Sequence, residues 1–230
     1  MRPLPSVELP SLPVVGSDDR FPVRRVLCIG RNYAAHAREM GASGREAPFH
    51  FTKSATALLA ADGPVGLPYP PLTADLHHEI ELVAALDAGG RDLTPDAALA
   101  CVWGYALGLD MTRRDLQAAA KDKGRPWAAA KDFDGSAVCG PLVAAEVLGH
   151  PTRGPIALTV NGAPRQAGDL DELIWPIPEL LAQLSRLMAL RPGDLVYTGT
   201  PSGVGPVGPG DRLLGTFPGL PDLHVHILPA

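Results

Sequence analysis

The run DLHHEIELVAAL, Asp75 to Leu86, sets two carboxylates one residue apart inside an otherwise apolar stretch. From His77 to about Asp87 it is the best strand candidate in the chain, and strand side chains alternate between two faces. His77, Glu79 and Glu81 are therefore predicted to share one face, with His78, Ile80 and Leu82 on the other. Carboxylates two positions apart on a strand lie about 7 Å from each other and repel unless a cation stands between them. A solvated strand face is the plain alternative. A second stretch weighs against it. WGYALGLD (Trp103–Asp110) reads as a buried strand ending in an acid, and a lone carboxylate there would be costly. Glu79, Glu81 and Asp110 offer only oxygen ligands. That set suits a hard cation that keeps some waters: Mg²⁺ or Mn²⁺, with Ca²⁺ also compatible.

Outward from these strands, the pattern predicts further elements. VRRVLCIG (Val23–Gly30) and FHFTK (Phe49–Lys53) read as strands. NYAAHAREM (Asn32–Met40) reads as a helix capped by Asn32 and stopped by Gly41. TPDAALACV opens with a Thr cap and a Pro at the first helical position. Thr112 is expected to cap a helix over RRDLQAAAKDK that stops at Gly124. Asn161-Gly162 between two strand-like runs is a hairpin signal. A helical period covers Ile177–Leu190, and LHVHIL alternates as a closing strand. Few helices among several strands predict an α+β fold with mixed pairing. Residues 1–20 are expected to form an N-terminal arm and residues 21–230 a single catalytic domain.

Composition narrows the function classes. The 230 residues are 46% hydrophobic and 20% charged, with 20 basic against 25 acidic side chains. A net charge of −5 is no nucleic-acid footprint. No apolar run approaches the roughly 20 residues of a membrane span. MRPLPSVELP lacks the apolar core of a signal peptide, so a cytoplasmic protein is expected. Cys28, Cys101 and Cys139 show no CxxC spacing and are expected as unpaired thiols. Gly203-x-Gly205-x-x-Gly208 fits a dinucleotide motif by letter, but Pro206 and Pro209 deny it the helix that motif needs. His78-Glu79 begins like HExxH, yet position 82 is Leu.

Other residues carry chemistry in two readings. His36 and Glu39 are three apart on the predicted helix, where a carboxylate can orient an imidazole as a base; an exposed pair is the alternative. Arg113, Arg114, Gln117 and Lys121 follow Asp110 and would suit an anionic ligand, or simply form a solvated helix face. Lys53 and Lys131 sit in apolar neighbourhoods, which buried stems with ammonium groups in water explain equally well.

The motifs GRNYAAHAREM, HHEIEL, GYALGLDMTRRDLQ, GRPWAAAKDFD, VNGAPRQAGD and LVYTGTPSGVGPVGPGD, in this order from about residue 21 to 215, resemble the fumarylacetoacetate hydrolase family, in its acylpyruvase branch. The resemblance implies a mixed β-sandwich roll with short helices, of the C-terminal domain type, and a homodimer. It implies a divalent metal on Glu79, Glu81 and Asp110, with His36 and Glu39 as the water-activating dyad. Lys131 matches an active-site lysine, and Gln117 and Thr200 match substrate-binding positions, with Arg31, Lys53 and Arg114 as further contacts. The implied activity is hydrolysis of a C–C bond in an acylpyruvate, a small anionic 2-oxo acid. Decarboxylation of oxaloacetate, or isomerisation or hydration of a 2-oxo acid, is the alternative on the same fold. Ser54, where a proline is expected, and AVCG (Ala137–Gly140) depart from the pattern, though neither touches the metal set.

Overall fold

The computed structural model describes residues 8–34 and 46–230. Its largest sheet has eight strands. Seven run in the order Phe49–Lys53, Arg25–Gly30, Asp194–Tyr197, Ile80–Leu86, Val102–Asp110, Ala137–Cys139 and Leu58–Ala60. Val143–Ala144 pairs beside the long central strand Val102–Asp110. Pairing is mixed: Asp194–Tyr197 runs parallel to Arg25–Gly30, whereas Ile80–Leu86 and Val102–Asp110 are antiparallel. A second sheet orders Ala163–Asp169, Pro155–Val160, Arg212–Thr216, Leu223–Leu228 and Val65–Pro68. With its few short helices, this is the mixed α+β roll the sequence predicts.

The strand Ile80–Leu86 is buried at every position. Its even residues, Ile80, Leu82, Ala84 and Leu86, join a core cluster that includes Leu158, Leu213, Val225 and Ile227 of the second sheet. Its odd residues, Val83 and Ala85, join a separate cluster with Val26, Cys28, Ala106, Cys139 and Tyr197. A strand covered on both faces must read as a continuous apolar run, and EIELVAAL does so everywhere but at its acids. Each fully buried leucine in such a strand contributes about 1.5–3 kcal/mol.

The hairpin Pro155–Val160 to Ala163–Asp169 turns at Asn161 and Gly162, both with positive φ (52° and 78°), as its two-residue loop requires. Thr94 caps Pro95–Leu99 through Ala97 N–H. The three cysteines are free and buried. Gly205–Val207 is a strand, so no helix opens at the glycine triplet. Among the described residues no helix is long and apolar enough to cross a membrane.

Three expectations need correction. The strand predicted from His77 to Asp87 is two strands, Leu76–His78 and Ile80–Leu86, which belong to different sheets and part at Glu79. Thr112 does not cap a helix. It pairs with His77 in a short strand and gives its hydroxyl hydrogen to Asp110 O, and the helix begins at Arg114 and ends at Asp122. The helix predicted to Leu190 stops at Leu187, where Met188 turns extended. Within the stretch expected as an arm, Ser11–Pro13 pairs with Arg20–Pro22, and Leu12 is wholly buried. The helix predicted from Asn32 to Met40 lies mostly outside the described residues.

Candidate metal centre and its cleft

The break at Glu79 gathers the carboxylates. Glu79 stands between two strands of different sheets, and its carbonyl accepts from Asp110 N–H at 2.9 Å. Glu81 follows on the next strand, in register with Gly108, two residues before Asp110 on the neighbouring strand. A side chain at 108 would meet the Tyr197 ring at 2.6 Å and Val83 at 2.7 Å, so only glycine leaves this face open. Oxygens of Glu79, Glu81 and Asp110 all lie within 4.8 Å of one another, and all three residues are buried.

Two lysines and an arginine stand against this cluster. Lys131 Nζ donates to Glu79 Oε2 and Asp110 Oδ2, each at 2.8 Å. Arg114 Nη2 donates to Glu79 Oε1 at 2.5 Å. Lys53 Nζ lies 2.9 Å from Asp110 Oδ1 and donates to the carbonyls of Met111 and Lys131. Both lysine ammonium groups are thus buried on carboxylates, and neither reaches water as the sequence allowed. Burial opposes ionisation of Glu79, but Lys131 and Arg114 outweigh it and hold the carboxyl well below its ordinary range. Burial disfavours the Lys131 ammonium, yet Asp110 and Glu79 raise its pKa above the ordinary value. Glu81 is treated differently. Burial, then the charges of Asp110 and Glu79, push its pKa well above normal, and its hydrogen bond is from Gly199 N–H at 2.7 Å.

These features test whether a divalent cation fits. Among the described residues Asp110 Oδ1 is buried without an aligned hydrogen bond, although Lys53 Nζ is close. Glu81 is a buried carboxylate facing two others. Both deficits are met by a hard cation among three carboxylates. The residues fit Mg²⁺ or Mn²⁺.

A cleft opens over the cluster, lined by Glu79, Glu81, Arg114, Gln117, Lys121, Lys131, Thr200 and Arg31, with an apolar wall of Ile29, Phe49, Phe51 and Trp127. Arg114 Nη1 donates to Gln117 Oε1 at 2.7 Å, and the Lys121 ammonium sits 5.0 Å from the Trp127 ring centre. Burial and then the positive charges of Arg114, Arg31 and Lys131 lower the Lys121 pKa. Arg31 reaches the rim from a positive-φ position. Lys53 is not among the lining residues, contrary to the substrate contact expected of it, because its ammonium is committed to Asp110 and two carbonyls. Arg113 is outside the helix and stacks on Phe133 at 4.4 Å. His36 and Glu39 lie outside the described residues.

Sequence reasoning missed the aromatic wall and the buried pair His78 and Gln166. FHF carried a usable signal for the wall, since alternation puts Phe49 and Phe51 on one face. Gln166 carried none, because its partners come from remote segments.

Residues 25–227 match the family model for the fumarylacetoacetate (FAA) hydrolase C-terminal domain. The chain is 44% identical to a fumarylpyruvate hydrolase of a Ralstonia species, over 80% of this chain and 95% of that one. It is 41% identical to an oxaloacetate tautomerase of Escherichia coli (strain K12), over 86% and 90%. Its structure is similar to that of fumarylpyruvate hydrolase from Pseudomonas aeruginosa in complex with Mn²⁺ and pyruvate, with a TM-score of 0.96 at 51% identity and full coverage of both chains.

Proposed function

The chain belongs to the fumarylacetoacetate hydrolase family, and on that premise we propose that it hydrolyses a C–C bond in an acylpyruvate, with 3-fumarylpyruvate, giving fumarate and pyruvate, as its substrate. The observation that carries the reading is the set of three buried carboxylates facing a cleft rimmed by Arg114, Lys121 and Arg31. A cation site beside fixed positive charge suits a small 2-oxo acid with carboxylates at its ends. The relative of known structure that binds Mn²⁺ and pyruvate supports the same reading.

A divalent cation on Glu79, Glu81 and Asp110 would act as a Lewis acid, stabilising negative charge as it develops on a 2-oxo oxygen. Arg114, held by Glu79 and Gln117, is placed to bind a carboxylate in a fixed orientation. The Phe49, Phe51 and Trp127 wall offers apolar contact to the carbon chain of the substrate. His36 takes a proton from the attacking water, with Glu39 orienting its imidazole. The water oxygen bonds to the distal carbonyl carbon, the C–C bond to the pyruvate methylene breaks, and its electron pair stays with pyruvate as the enolate. A proton returned to that carbon completes pyruvate, and the acyl group leaves as a carboxylate. Lys131, a buried ammonium touching two of the carboxylates, is placed to offset developing charge. We also propose that the active form is a homodimer, which light scattering checks as twice the chain mass.

Similarity to an oxaloacetate tautomerase favours one second reading, isomerisation of a 2-oxo diacid in the same cleft. One experiment separates the two. Initial rates are measured on 3-fumarylpyruvate, other acylpyruvates and oxaloacetate, with Mg²⁺ or Mn²⁺, for wild type and His36→Ala. Loss of the general base is expected to slow acylpyruvate hydrolysis about 10²–10⁴-fold. Efficient turnover of oxaloacetate with no acylpyruvate cleaved would replace the hydrolase reading by the second one.

A further inference from the structure

Gln166 is buried in the hairpin strand Ala163–Asp169, and its amide is bonded on both sides. Oε1 lies 2.8 Å from His78 Nδ1 and accepts from Ile80 N–H at 3.0 Å. Nε2 donates to Thr200 Oγ1 at 2.8 Å and to Pro201 O at 2.9 Å. The amide cannot be reversed, because Ile80 N–H can only donate and Pro201 O can only accept. Two consequences follow. His78 must donate from Nδ1, which leaves Nε2 of the neutral ring as a bare lone pair, and that atom is buried with no hydrogen-bond partner among the described residues. Thr200 must give its one hydroxyl hydrogen to Ile80 O at 2.8 Å, since that carbonyl can only accept and Gln166 Nε2 can only donate.

We propose that Gln166 is a positioning residue that locks the Thr200 hydroxyl as an acceptor toward the cleft and ties the Thr200 loop to the strand bearing Glu81. The proposal rests on the reading of the cleft as a 2-oxo acid site. Thr200 lines that cleft, and its hydroxyl has one lone pair left to offer. A substrate carboxylate has no hydrogen to give it. A hydroxyl formed on the distal carbon when water adds does have one. Thr200 thereby discriminates between the bound substrate and its hydrated form, which places its contribution in the chemical step rather than in binding.

The experiment has two arms. In the first, ¹⁵N NMR of histidine-labelled protein, with His78 assigned by His78→Asn, reads the ring tautomer without any substrate. A proton on Nδ1 in wild type is expected, together with loss of that preference in Gln166→Leu; a proton on Nε2 in wild type overturns the proposal. In the second, kcat and KM for 3-fumarylpyruvate are compared across Gln166→Glu, Gln166→Leu, Thr200→Val, Thr200→Ser and the Q166L/T200V double variant. Gln166→Glu keeps the acceptor for Ile80 and His78 and removes the donor to Thr200 and Pro201, so it carries the test if Gln166→Leu does not fold. Q166E and T200V are expected to lower kcat on the order of tenfold, one hydrogen bond's worth, with little change in KM. T200S should stay near wild type, and the double variant should be no slower than the slower single. A rise in KM alone, an unchanged kcat in Q166E, or additive losses in the double variant overturn the proposal. Wild type that shows the Nδ1 tautomer but cleaves no acylpyruvate instead sinks the hydrolase reading and leaves the network standing.

Discussion

Two clusters of buried charge occupy opposite situations in this fold. Asp194, fully buried, accepts from Arg24 Nη1 at 2.9 Å, from Arg25 Nε at 3.2 Å and Nη2 at 2.5 Å, and from Arg191 N–H at 3.0 Å. One carboxylate meets two guanidinium groups that still reach water, with side chains 44% and 23% exposed. In the cleft, three carboxylates crowd together, and the three cations beside them face Glu79 and Asp110; among the described residues Glu81 has a single hydrogen bond, from a backbone N–H. Both clusters satisfy the rule that buried charges need partners, but only the first does so with its own residues. A carboxylate fully paired within the chain holds the fold. One left short of positive charge marks where something else binds.

The widest separation between the clusters should appear on substitution of Glu81. Glu81→Gln keeps an acceptor for Gly199 N–H and removes one oxygen anion from the metal set. Turnover with Mn²⁺ is expected to fall on the order of 10³-fold, matching the several kcal/mol a Lewis acid supplies. The metal-free variant should melt no lower than metal-free wild type, because an uncompensated buried charge is gone. A metal-free E81Q that melts well below wild type would place Glu81 with Asp194 as a structural acid.

Asp194→Ala should do the reverse. Breaking a buried pair by removing one partner costs about 3–5 kcal/mol, and the low end applies here because the stranded arginines reach water. Urea denaturation should show a loss of about 3 kcal/mol, with the response to metal intact. A loss under about 1 kcal/mol would mean that the cluster is no better than a surface ion pair.

Metal itself sharpens the contrast. At Mn²⁺ a hundredfold above its Kd, stability should rise by about 2.7 kcal/mol, since the ion binds only the folded chain. The gain should persist in D194A and vanish in E81Q, as followed by thermal melts after chelation and repletion. The smallest effect is expected at Gly108, where a methyl group meets the Tyr197 ring and Val83 at under 3 Å. Gly108→Ala should cost about 1–2 kcal/mol through overpacking and weaken metal binding by pressing on the face that carries Glu81. An unchanged melt and metal Kd would show that this face yields more than the packing implies.

How much of this was legible depended on distance along the chain. Phe49–Lys53, Val102–Asp110, Leu223–Leu228 and the Asn161-Gly162 hairpin carry their signal within a few residues, and each stands where it was expected. The Thr112 cap failed because a strand partner, His77, claimed that residue first. Lys53 read equally well as a surface lysine, since nothing near it in sequence announces Asp110. Gln166 looked like any polar residue of a half-exposed hairpin.

By itself, the sequence determined which stretches are buried, what turns them, and that Glu79, Glu81 and Asp110 are acids in apolar runs. These are local matters of period, turn chemistry and residue type. Only the tertiary structure decided that the apolar run splits at Glu79 between two sheets, and that Gly108 faces Glu81. It also decided that Lys131 and Arg114 neutralise Glu79 while Glu81 accepts from Gly199 N–H. The physical reason is range. A hydrophobic pattern is written in neighbouring residues, whereas an ion pair acts over a few ångströms between side chains that strand register alone brings together.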